Sequence, residues 1–135
     1  MPARGFELET GILVVDDSEM TRQLNLKILA RMGYSSLHEA ENGQKALDLI
    51  VEKGQEIGLI LSDQKMPDMN GSELLESLRQ DEKTASLPFL LISAINTDSK
   101  LLKTLEGENV GFLKKPYKPN ELAKAMQELH EKLAS

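Results

Sequence analysis

Four short apolar runs punctuate this chain: Ile12 to Val15, Ile57 to Leu61 with Gly58 inside, Phe89 to Ile92, and Val110 to Leu113. Runs this brief and this uniformly apolar are the pattern of strands buried on both faces. Longer segments with helical spacing lie between them, carrying Met20, Leu24 and Ile28, then Ala46, Leu47 and Ile50, then Leu74, Leu75 and Leu78. Leu101, Leu102 and Leu105 mark a shorter fourth helix with at least two of them facing the core, and Leu122, Met126, Leu129 and Leu133 stripe a last one. A weaker strand, Ser35 to Glu39, brings the expectation to five strands and five helices in an α/β, doubly wound parallel sheet. Gly33 after the first helix, Asn42-Gly43 before the second, Asn70-Gly71 before the third and Pro119 at the last support this division.

Composition narrows the function classes. The 135 residues fit one domain, and 40% hydrophobic content can build a core without staples. Lys plus Arg number 16 against 22 Asp plus Glu, a formal net charge of -6, which opposes direct nucleic-acid binding. Cysteine is absent, excluding disulfide frameworks, thiolate zinc sites and cysteine nucleophiles. The start, Met1-Pro2-Ala3-Arg4-Gly5, lacks an apolar leader, and no run approaches the roughly 20 residues that span a bilayer. The chain reads as soluble and cytoplasmic, with no membrane insertion, residues 1–10 being a short extension to a domain at 11–135.

Chemistry collects where the runs end. Asp16 and Asp17 end the first, Asp63 the next, Ser93 the next, and Lys115 follows the last. In an open parallel sheet these ends share one edge, where ligands bind. Three carboxylates converging there would repel one another unless a cation neutralised them, and hard oxygen donors suit Mg²⁺. A carboxylate in such a site can attack a phosphoryl group, and Asp63 is the candidate nucleophile. The equatorial oxygens of a transferred phosphoryl need cationic and hydrogen-bonding partners, which Lys115 and Ser93 can supply. Taken singly, each residue has a plainer reading: a strand-end Asp forms turns or caps helices, Ser93 could do the same, and Lys115 before Pro116 could be a solvated loop lysine.

Together these segments resemble the response-regulator receiver domains of two-component signalling. The resemblance rests on Ile12-Leu13-Val14-Val15-Asp16-Asp17-Ser18, on Leu61 through Gly71 around Asp63, on Leu91-Ile92-Ser93-Ala94 and on Phe112-Leu113-Lys114-Lys115-Pro116. It implies a flavodoxin-like sheet of strand order 2-1-3-4-5 and, as the nearest format, a stand-alone regulator of the chemotaxis type. It implies that a sensor histidine kinase phosphorylates Asp63 with Mg²⁺, ligated directly by Asp17, Asp63 and the Lys65 backbone carbonyl, and by Asp16 mostly through water. Ser93 becomes the switch hydroxyl, Phe112 the switch aromatic and Lys115 the phosphate contact, with a cis bond to Pro116. The fourth helix, fifth strand and fifth helix become the surface that signals to a downstream protein.

Some positions vary within the family. Ser93 stands where threonine is commoner, and the hydroxyl is kept. Phe112 stands where regulators that bind the flagellar motor have tyrosine, which counts against that target. Lys65 and Ile95 occupy variable positions flanking the path of attacking water. A phosphorelay intermediate or a scaffold receiver is the alternative within the family. An aspartate-nucleophile phosphatase of the haloacid-dehalogenase type would need an acid-base Asp where Lys65 stands. A flavodoxin-like cofactor binder would meet phosphate with Asp16-Asp17, which repel it, and has only 2 Tyr, 3 Phe and no Trp to sandwich a flavin. If Lys65 and Ile95 set the lifetime of the phosphorylated state, Lys65→Ala and Ile95→Ala change the dephosphorylation rate; unchanged rates in both would refute the assignment.

Overall fold

The computed structural model describes residues 5–94, 103, 105–107 and 109–134. The elements run β1 (Ile12–Val15), α1 (Glu19–Arg31), β2 (Leu37–Ala40), α2 (Gly43–Lys53), a 3-10 turn (Gly54–Glu56), β3 (Leu59–Asp63), α3 (Gly71–Arg79), β4 (Phe89–Ser93), β5 (Val110–Lys114) and α4 (Pro119–Ala134). The strands form one parallel sheet in the order β2-β1-β3-β4-β5. Among the described residues there are four α-helices rather than five. The helix expected at Leu101 and Leu102 lies outside the described residues; Leu105 is half-buried and packs on the core.

Alternation along each strand divides the core into two layers. Leu13, Val15, Ile60, Phe89 and Leu91 face α2 and α3, meeting Ala46, Ile50, Leu74, Leu75 and Leu78. Ile12, Val14, Leu59, Leu61, Leu90 and Ile92 face α1 and α4, meeting Leu29, Leu122, Met126 and Leu129. Phe6 joins this second layer: it is 6% exposed, its carbonyl accepts the Tyr34 hydroxyl at 2.7 Å, and its ring meets His130 edge-on with centroids 5.1 Å apart.

Helix starts follow local chemistry. Asn42 caps α2 by accepting from the Lys45 N–H at 2.8 Å. Asn70 and Glu73 close a capping box at α3. Gly33, at φ +106°, carries the chain past the end of α1, where a side chain would be strained.

Three expectations shift. The third strand begins at Leu59 rather than Ile57, because the 3-10 turn delivers Ile57 and Gly58 before the ladder starts; it runs on to Asp63, which pairs with Ile92. The second strand is Leu37–Ala40 rather than Ser35 to Glu39, since its pairing with β1 opens at Ile12 and Leu37 and ends at the buried Ala40. On α1 the stripe of Met20, Leu24 and Ile28 reaches the core only at its end: Met20 is 84% and Leu24 55% exposed, Ile28 is half-buried and packs on the second layer beside Leu26, and Arg22, Asn25 and Leu29 are buried. The cap at Ser18 fixes the phase of the helix, and the donors of Arg22 are needed inside.

If this phase is right, Leu29→Ala costs about 2–5 kcal/mol of unfolding free energy, whereas Leu24→Ala stays within about 0.5 kcal/mol. Urea titration of both variants measures the contrast, and equal losses would mean that α1 presents a different face.

Candidate functional site

The strand order changes direction between β1 and β3, and there the loops leaving the two strands part and open a crevice at their carboxyl ends. Val15 pairs with Ser62, so the next residue on each chain is an aspartate, Asp16 beside Asp63. Asp17 follows. The carboxylates of Asp16, Asp17 and Asp63 each place an oxygen such that all three lie within 4.8 Å of one another. Asp16 and Asp63 are buried and Asp17 is exposed. Three hard, anionic oxygens converging at a partly open edge are the donor set that a small divalent cation such as Mg²⁺ prefers.

The opposite wall is cationic. Lys115 Nζ lies 2.8 Å from Asp63 Oδ1, and its backbone N–H donates to the Ser93 carbonyl at 2.9 Å. That second bond ties the end of β5 to the end of β4 and so aims the lysine across the crevice. The Lys115–Pro116 peptide bond is cis. Burial works against the Lys115 charge, but the hydrogen bond and charge of Asp63, joined by the charge of Asp16, hold its pKa above the usual 10.5. Burial lifts the Asp16 carboxyl above its ordinary 3.8; the Ser18 N–H opposes this, while the charge of Asp63 adds to it.

The other residues singled out from the sequence fall nearby or outside. Ser93 ends β4 and is buried. Phe112 sits half-buried on β5, paired with Leu91. Lys65 is exposed in the loop between β3 and α3. Ile95 lies outside the described residues.

Supporting residues carry no signal of their own in the sequence. Arg22 donates Nη1 to the Asp16 carbonyl at 2.8 Å and Nε to Glu39 at 2.7 Å, pinning the acidic turn to β2. Gln64, directly after Asp63, grips the start of α3 twice: Oε1 accepts from Ser72 N at 2.7 Å and Nε2 donates to Ser72 Oγ at 3.0 Å. The Tyr117 hydroxyl donates to Asn25. Each is a polar residue at an unremarkable position, and what gives it meaning is a partner on another element.

Residues 12–127 match the response regulator receiver domain family. A chemotaxis protein CheY homolog of Campylobacter jejuni is 29% identical over 118 residues, covering 87% of this chain and 90% of that protein. The sensor kinase CckA of Brucella abortus is 32% identical over 121 residues, covering 90% of this chain and 12% of that protein. The structure of Vibrio cholerae chemotaxis protein CheY4 superposes with a TM-score of 0.79 at 28% identity, covering 89% of this chain and 98% of that one.

The raised Asp16 pKa gives a test of what it costs to bury this charge, with that of Asp63 beside it. Its ionised form is a folded-state cost, absent below the ordinary value of 3.8 and fully present above the raised one. Asp16→Asn, melted without divalent cations, is therefore expected to be more stable than the wild type at neutral pH, with the gap closing as the pH falls toward 3.8. A variant no more stable than the wild type at neutral pH would contradict this.

Proposed function

The chain belongs to the response regulator receiver family, and from that premise we propose that it takes a phosphoryl group onto Asp63 and signals the change to a protein partner. The observation that carries the reading is the convergence of three carboxylates within 4.8 Å, one of them held 2.8 Å from a lysine. A sensor histidine kinase is the donor in this reading, as it is for the family. An Asp63 carboxylate oxygen attacks phosphorus, a new O–P bond forms, and the bond from phosphorus to the donor's imidazole nitrogen breaks with its electron pair leaving on that nitrogen.

Asp16, Asp17, Asp63 and the Lys65 carbonyl would hold Mg²⁺, which when bound supplies positive charge against the phosphoryl oxygens. The protein's own residues do the rest. Lys115, kept protonated by its carboxylate neighbours, offers a point charge to a phosphoryl oxygen, and the Ser93 hydroxyl can donate to another. Asp63 then carries a doubly charged group where it carried one charge. Shifting a two-state surface from mostly off to mostly on requires about 5.5 kcal/mol of differential interaction, within reach of a few charge-assisted hydrogen bonds. The acyl phosphate is a mixed anhydride, so the protein is a phosphoacceptor that hydrolyses its own signal and not a turnover enzyme.

The face that responds in this reading is β5 and α4 together with the expected fourth helix, whose Leu101 and Leu102 lie outside the described residues. Phe112 sits there on the edge strand, in a concavity with Val110, Leu129 and Lys132, whose Nζ donates to the Val110 carbonyl at 2.5 Å. Likeness to the Campylobacter and Vibrio chemotaxis proteins, over 90% and 98% of their lengths, supports a receiver of the chemotaxis type. Residues 11–135 form the receiver in this reading, and residues 1–10 a short extension whose Phe6 packs into the core and so opens the folded unit. The Brucella kinase relative favours the second reading, a relay receiver whose phosphoryl group passes on to another protein.

Intact mass after incubation with a small phosphodonor and Mg²⁺ tests the acceptor. The wild type should gain one phosphate, only with Mg²⁺, and Asp63→Asn should gain none. A folded wild type that takes no phosphate would reduce the chain to a binding scaffold.

A further inference from the structure

Helix α1 turns two polar side chains inward, Arg22 at 9% and Asn25 at 2% exposure, and leaves Met20 and Leu24 in solvent. Buried polar groups on a helix must be matched or they destabilise the fold. Arg22 is matched by the Asp16 carbonyl and Glu39. Asn25 is matched by the hydroxyl of Tyr117, 92 residues away in sequence and two beyond Lys115. The loop carrying Lys115 and Tyr117 is fixed at its start by the Lys115 N–H on the Ser93 carbonyl and at its end by the Lys118 N–H on Glu121 at 2.8 Å. Between those two points the Tyr117 hydroxyl supplies a side-chain tie to α1.

We propose that Asn25 and Tyr117 form a positioning latch that joins α1 to the loop after β5 and thereby holds the Lys115 ammonium in place over Asp63. The proposal rests on the reading of Asp63 as the phosphoacceptor. Lysine carries its charge on a flexible four-carbon stem, so the region its ammonium samples is set largely by how firmly its backbone is anchored. Phosphoryl transfer draws on positioned charge more than on covalent chemistry from the protein, so a loosened lysine slows transfer. The Tyr117 ring is half-buried against the α1 and α4 layer, so its bond to Asn25 is made in a partly desolvated setting. Burial raises the Tyr117 pKa, and Lys115, Asp16 and Asp63 all act on it, placing the phenol in the electrostatic neighbourhood of the site.

The test separates positioning from mere packing. Tyr117→Phe orphans the Asn25 amide, so it should lower the melting temperature and slow Mg²⁺-dependent labelling by a small phosphodonor about fivefold or more. Asn25→Leu combined with Tyr117→Phe removes both polar partners, and should recover much of the melting temperature while labelling remains slow. Mg²⁺ affinity, read by calorimetric titration, should stay within about twofold throughout, since neither residue offers a metal donor. Labelling that recovers together with stability in the double variant would overturn the latch, as would wild-type labelling by Tyr117→Phe. A wild type that takes no phosphate, or Asp63→Asn that labels normally, would instead overturn the acceptor reading and the latch with it.

Discussion

Three carboxylates are held within 4.8 Å of one another against their mutual repulsion, and much of the surrounding structure is arranged to keep them there. The parallel register sets the problem by making Asp16 and Asp63 the next residues beyond a bonded pair at the point where the sheet reverses its winding. Lys115 answers part of it with one positive charge at 2.8 Å. The remaining negative charge leaves the crevice suited to a divalent cation, and a bound cation would in turn suit it to the phosphoryl group of the proposed function.

The same demand explains why α1 departs from an ordinary amphipathic helix. A helix whose sole task was to cover the sheet would bury its leucines. Here the positions nearest the site are given to Arg22 and Asn25, which hold the backbone of the acidic turn and the loop after β5, while Leu26, Ile28 and Leu29 further along do the apolar covering. Gln64 serves the third loop in the same manner through Ser72. The three loops that bring Asp16, Asp63 and Lys115 together are thus each fastened by a side chain from outside the reacting set.

Much of this was legible in the sequence, for a definite reason. Strand and helix identity and the residues at strand ends are properties of one segment at a time, and Asp16, Asp17, Asp63, Ser93 and Lys115 all stand at ends that a short apolar run marks. The α2, α3 and α4 stripes face the core as their spacing implies, Ala46, Leu74 and Leu122 among them. The α1 stripe misleads at Met20 and Leu24, because apolar spacing shows only that residues share a face, and near the site the core-facing side is taken by polar residues with distant partners. Gly58 misled similarly, since the 3-10 turn before it decides where pairing starts. Nothing local marks Asn25 and Tyr117 as a pair, because a bond across 92 residues exists only once the sheet has brought α1 beside the last loop.

Phe6, tucked beneath α4 with its ring against His130, places the beginning and the end of the domain side by side. A domain whose entry and exit share one spot can sit within a longer polypeptide as a side loop does, without stretching the segments on either side of it. Both junctions then lie on the α1 and α4 layer, while the acidic crevice opens at the carboxyl edge of the sheet. This is an architecture of portability: the same unit can travel alone or be threaded into a larger host with little change to its own packing.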